Sequence, residues 1–142
     1  MFLWHYLAMT KKYIDFHSHT FYSDGLEEPE TIVRNAKMNG LDALALTDHD
    51  TTEGVRDAQR EARKWNIQLI PGVEITTNNY HTLGLNVDVG SRELQELLSC
   101  SRDLQRRTCE RRINLMQRLG VPITFAKVEK LFPKSRLGKY NL

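Results

Sequence analysis

Hydrophobic and polar positions switch between two periods along this chain. The β-branched and aromatic residues within 13–17 predict a short strand. A polar loop follows over 18–28 and contains the turn pair Asp24-Gly25. Pro29, well tolerated in a first helical turn, then opens a helix with an apolar stripe of Ile32, Val33, Ala36 and Met38, and Asn39-Gly40 ends it. Residues 41–46 are apolar apart from Asp42, the pattern of a buried parallel strand. Val55, Ala58, Ala62 and Trp65 recur at helical spacing and predict a second helix over 52–65. A third strand is expected over 67–73, interrupted at Pro71-Gly72, and a fourth over 81–89, where Leu83, Leu85 and Val87 alternate.

This alternation with short links predicts an α/β fold: a parallel sheet or barrel with right-handed crossovers. From residue 91 to 119 the pattern becomes one long helix, with Leu94, Leu97, Leu98, Leu104, Leu115 and Met116 on its expected buried stripe and Gly120-Val121-Pro122 as its stop. No repeat or low-complexity tract is present in the sequence.

A length of 142 residues fits one domain or part of a larger one. The 40% hydrophobic and 27% charged content reads as a soluble globular chain. A net charge of +2 is too small to argue for nucleic acid by itself. The arginines are uneven, however: Arg102, Arg106, Arg107, Arg111, Arg112 and Arg118 crowd the last third. They read either as a solvated helix face partly paired with Asp103 and Glu110 or as an attractor for a phosphate backbone. Cys100 and Cys109 make no CxxC pair and read as reduced thiols, which suits a cytoplasmic protein. The apolar stretch 1–9 is too short to span a bilayer and lacks the leading positive charge of a signal peptide. It is expected to be an N-terminal extension, with Met9 a plausible initiator, or else a packed arm; no membrane partner is expected.

The chemistry-bearing residues fall at the ends of the predicted strands. His17 and His19 follow the first, His49 the second and Glu74 the third; His81 begins the next, and Asp24 sits in the first loop. In β/α folds the C-terminal strand ends form one rim where active sites gather. Side chains two apart on an extended strand share a side, so His17 and His19 can reach one ion. A mixed imidazole and carboxylate set suits Zn2+, Mn2+ or Fe2+ rather than Ca2+. His5 is expected to be no ligand. Asp48 and Asp50 flank His49 and could orient its ring, or could cap a helix or hold a loop.

Asp15-Phe16-His17-Ser18-His19-Thr20, Ser23-Asp24-Gly25, Thr47-Asp48-His49-Asp50, Pro71-Gly72-Val73-Glu74-Ile75 and His81-Thr82-Leu83-Gly84-Leu85 stand in this order. Together they closely resemble the motifs of the PHP (polymerase and histidinol phosphatase) family, most strongly over 12–89. The resemblance implies the N-terminal half of a distorted (β/α)7 barrel with a helical insertion: an extension over 1–12, barrel over 13–90, and insertion plus chain end over 91–142. It also implies a phosphoesterase that hydrolyses phosphate esters by a metal-activated water, using two or three divalent ions. His17, His19 and Glu74 would hold one ion and Asp24 and His49 a second, with Glu74 bridging to a third shared with His81. Glu74, Asp24 and His49 would then carry catalysis. The most similar subgroup acts on nucleoside 3′,5′-bisphosphates and short RNA, so a phosphorylated nucleotide or short RNA is the implied substrate.

The sequence departs from the family pattern after His81, where no further histidine occurs. Where the family continues Gly-Arg-Pro-His, this chain reads Gly138-Lys139-Tyr140-Asn141-Leu142. An excised fragment or truncated reading frame is therefore expected. The alternative function is a non-catalytic remnant that binds metal or a partner.

Overall fold

A computed structural model of the chain describes residues 12–77 and 80–131. The extension expected over 1–12 falls almost wholly outside these residues, as do His5, Met9 and the divergent stretch around Gly138. Four strands form one curled sheet in the order β1 (Ile14–Ser18), β2 (Ala43–Leu46), β3 (Gln68–Thr76), β4 (His81–Leu85). Helix α1 (Pro29–Met38) links β1 to β2, and α2 (Val55–Trp65) links β2 to β3. Beyond the sheet come α3 (Arg92–Arg118) and a short α4 (Phe125–Leu131). The architecture is that of a partial (β/α) barrel, a half-barrel sheet with its crossover helices.

The β1–β2 and β2–β3 pairs are parallel, as the alternating pattern requires. The β3–β4 pair is antiparallel, which corrects the expectation of a parallel sheet throughout. Only residues 77–80 separate these two strands. A link that short can turn the chain back on itself, whereas a parallel return needs a crossover of about a dozen residues or more. β4 also ends at Leu85 rather than 89, because Asn86 adopts a left-handed backbone with φ 54°.

Pro71-Gly72 does not interrupt β3, contrary to the sequence reading. Residues Gln68 to Pro71 pair with β2, and Gly72 to Thr76 pair with β4. The proline, which has no N–H to donate, thus stands where the strand exchanges one ladder for the other. Gly72 permits the close approach there: a Cβ would lie 2.9 Å from the Leu46 carbonyl oxygen and 2.8 Å from the Thr47 methyl.

Leu44 and Leu46 on one face of β2 pack with Val33 and Ala36 of α1 and with Val55, Ala58 and Ala62 of α2. Ala43 and Ala45 alternate with them and are buried on the opposite face. The expected stripes hold in part. Val33 and Ala36 are buried, but Met38 is exposed and Trp65 is partly so. On α3 the correction is larger: Leu97, Leu104 and Leu115 are at least half exposed, and the buried residues are Leu98, Cys109 and Ile113. Cys109 and Ile113 pack against Val128, with Ile123 and Phe125 alongside. The unanticipated α4 therefore selects which face of α3 is covered. No helix among the described residues is long and apolar enough to cross a membrane.

Because Leu46 is fully enclosed, Leu46→Ala should cost about 2–5 kcal/mol of stability, the range for a leucine emptied from a packed core. Met38→Ala should stay within about 0.5 kcal/mol. Urea unfolding of the full chain, followed by circular dichroism, checks both.

Candidate metal centre

At one end of the sheet the strand termini bring together four imidazoles and two carboxylates. Neighbouring rings stand 4.8 Å apart, centroid to centroid, in the row His17, His19, His49, His81. Glu74 lies along this row with its side chain only 7% exposed. Its Oε2 is 2.8 Å from His17 Nε2, 3.1 Å from His19 Nε2 and 3.7 Å from His49 Nε2. Its Oε1 is 2.8 Å from His81 Nδ1. Asp24 reaches in from the first loop, with Oδ1 3.2 Å from His19 Nδ1 and Oδ2 3.5 Å from His49 Nε2. All six residues singled out from the sequence are therefore in one cluster.

They form three overlapping groups, each with potential ligand atoms within 4.8 Å of one another: His17, His19 and Glu74; His19, Asp24 and His49; His49, Glu74 and His81. His19, His49 and Glu74 each belong to two groups, so neighbouring ions would share ligands. The donor chemistry fits divalent ions. Burial holds the pKa of His49 below the ordinary histidine value, against the opposing pull of Glu74 and Asp24, which keeps its lone pair free. Burial alone would raise the pKa of Glu74, but hydrogen bonding to His17 and His81 outweighs it and holds the carboxyl below its ordinary value.

The loop carrying His19 and Asp24 is held by Asp48. Its buried carboxylate accepts hydrogen bonds from the Thr20 amide at 2.7 Å, the Thr20 hydroxyl at 2.7 Å and the Ser23 hydroxyl at 2.6 Å. Of the two readings open for Asp48, loop anchoring is the one observed. Gly25 completes the turn, and a Cβ there would meet the His19 carbonyl oxygen at 2.4 Å. Asp50 also binds other segments: its carboxylate accepts from the Thr76 amide, the Ser101 hydroxyl and the Gln105 amide group. The ring of His49 meets Thr76, with Nδ1 3.5 Å from Oγ1.

Thr20, Ser23, Thr76, Ser101 and Gln105 escaped the sequence reading. Thr20 and Ser23 could have been suspected, since hydroxyls flank His19 and Asp24 directly. Gln105 had no local signal, because its partner is 55 residues away.

The arginines divide. Arg102 donates to the Asp50 carbonyl, while Arg106 pairs with Glu110 and Glu129 and lies over the Phe125 ring. Among the described residues Arg107, Arg111, Arg112 and Arg118 are exposed and carry no ion pair.

Comparison with known proteins places this geometry. Residues 15–120 match the PHP domain. The chain is 37% identical over 118 residues to a 5′-3′ exoribonuclease of Haemophilus influenzae, covering 80% of this chain and 43% of that protein. It is 35% identical over 79 residues to a 3′,5′-nucleoside bisphosphate phosphatase of Chromobacterium violaceum, covering 53% and 28%. A solved protein from Bifidobacterium adolescentis, assigned as a metal-dependent phosphoesterase, superposes with a TM-score of 0.80 at 27% identity, over 90% of this chain and 47% of that one. The chain thus spans less than half the length of these relatives.

The contact at Gly25 yields a direct test. Gly25→Ala must push the loop away from His19, so Mn2+ affinity should fall on the order of tenfold, the usual scale for disturbing a ligand's support. Titration of the purified chain with Mn2+ measures it, and unchanged affinity would show that the loop's position does not matter to binding.

Proposed function

The chain belongs to the PHP domain family, and from that premise we propose that it is a metal-dependent phosphoesterase acting on phosphorylated nucleotides or short RNA. One observation carries the reading: four histidines and two carboxylates, from the four strands and the first loop, converge in three overlapping groups, two of which share Glu74. The names of the relatives, an exoribonuclease and a nucleoside bisphosphate phosphatase, support the substrate class.

In this reading His17, His19 and Glu74 hold one ion, and Asp24 and His49 a second with His19 beside them. Glu74 and His81 hold a third together with His49. Glu74 is the bridging residue because its two oxygens face different imidazoles. Bound Mn2+ or Zn2+, with Fe2+ a further option, would polarise phosphoryl oxygens and acidify water for attack. The residues supply the frame for that chemistry. Half-buried His49 has its pKa held low by burial, Glu74 stays anionic, and Asp24 is more open to solvent than Glu74. The exposed arginines of α3 that carry no ion pair among the described residues would favour approach of a polyanion. We further take 13–90 as the barrel portion and 91–142 as the helical insertion and chain end. Free thiols at Cys100 and Cys109 suit the cytoplasm.

Glu74→Gln removes a charge while keeping the volume. With Mn2+ present, it should lower phosphate release from a nucleoside 3′,5′-bisphosphate or a short 5′-phosphorylated RNA on the order of 10³-fold, equivalent to about 4 kcal/mol of barrier. Its circular dichroism should match the parent. Near-parental turnover would refute the bridging role. Elemental analysis after dialysis should find metal in the parent chain and a clear loss in a His17→Ala/His19→Ala variant; equal metal in both would refute the ligand set. A parent chain that keeps its metal yet releases no phosphate from either substrate would support the non-catalytic, metal-binding reading instead.

A further inference from the structure

Helix α3 lies outside the sheet, yet three of its residues close on a single residue beside His49. The Ser101 hydroxyl donates to Asp50 Oδ1 at 2.8 Å, Gln105 Nε2 donates to Oδ2, and Arg102 Nη1 donates to the Asp50 carbonyl at 3.2 Å. Asp50 itself is fully buried and adopts a left-handed backbone, φ 48°, which a residue with a Cβ seldom holds without outside support. Two further attachments run to β3: the amide donates to the Glu74 carbonyl at 2.8 Å, and Oδ1 accepts from the Thr76 amide at 2.8 Å. His49 is the residue immediately before this clamp and forms the bridge to Glu74.

We propose that Ser101 and Gln105 of α3 are positioning residues for the metal centre, acting through Asp50 to set His49 against Glu74 and Asp24. The chain of contacts is short. Without the two α3 donors, the Asp50 carboxylate loses two of the three hydrogen bonds described above. A buried carboxylate left short of donors draws in water or shifts. The left-handed turn then relaxes, and His49, joined to it by one peptide bond, moves with it. α3 thereby becomes part of the site rather than an appendage beside it. The proposal rests on His49 being a ligand.

A second contact of the same helix provides the control. Gln95 Nε2 donates to Thr52 Oγ1 and to the Val89 carbonyl, each at 3.0 Å, tying α3 to the body without touching Asp50. Gln95→Ala should therefore loosen helix docking as much as a change at Gln105 does, but leave the metal site alone.

The experiment is a Co2+ titration of the full chain, read by visible absorption, which reports both affinity and coordination geometry. Ser101→Ala/Gln105→Ala should weaken Co2+ binding by about tenfold or more, the scale on which partners of ligand-bearing segments act, and alter the band shape. Gln95→Ala should do neither, whatever its melting temperature. In a His49→Ala background the Ser101/Gln105 pair should add less than about twofold, because its effect passes through the missing ring. Should the double variant fail to fold, Ser101→Ala alone carries the same comparison with a smaller shift. Unchanged affinity in the Ser101 and Gln105 variants, an equal loss in Gln95→Ala, or full additivity with His49→Ala would each overturn the proposal. Co2+ binding that is indifferent to His49→Ala alone would overturn the ligand reading beneath it, and that arm identifies which of the two has failed.

Discussion

A carboxylate withdrawn from water must be met by donors or cations, and Glu74 is the point at which this requirement organises the molecule. Its side chain is 7% exposed and is met by imidazoles from both sides. Its backbone is held just as tightly: the amide donates to Asp48, the carbonyl accepts from Asp50, and across the sheet Glu74 faces Leu83 of β4. Moving β3 by one residue would turn Glu74 to the other face and leave the histidines without a centre. The register of the sheet and the geometry of the site are thus one constraint.

Two other carboxylates serve that constraint by holding backbone. Asp48 gathers the first loop through Thr20 and Ser23, and Asp50 gathers β3 and α3 through Thr76, Ser101 and Gln105. His49 lies between them on a segment pinned at both ends. The apolar core is built from β2, which leads into this segment, and the two crossover helices. Gly72 lets β3 come close to Leu46 and Thr47.

The legible part of the sequence was local. Strand and helix positions over 13–76 follow from period-2 and period-3.6 patterns that neighbouring residues determine among themselves. The six clustered residues were legible too, because five stand at or near strand ends and Asp24 in the first loop, each in a distinctive motif. Where the reading failed, a distant partner was involved. The leucines of α3 looked like a buried stripe, but Leu104 is 57% exposed because α4 and the body cover other faces. Asp48 and Asp50 could equally have oriented a ring or tied a loop, and only contacts across 28 and 51 residues distinguish these roles.

By itself, then, the sequence determined the ligand-capable residue types, their order and the α/β alternation that carries them, since chain periodicity and turn chemistry act over a few residues. The tertiary structure decided the antiparallel return of β4, the face of α3 that is buried, and the closure of Ser101 and Gln105 on Asp50. Those outcomes depend on which surfaces meet once the strands have paired, and hydrogen bonds between residues 50 apart leave no periodic trace in the chain that makes them.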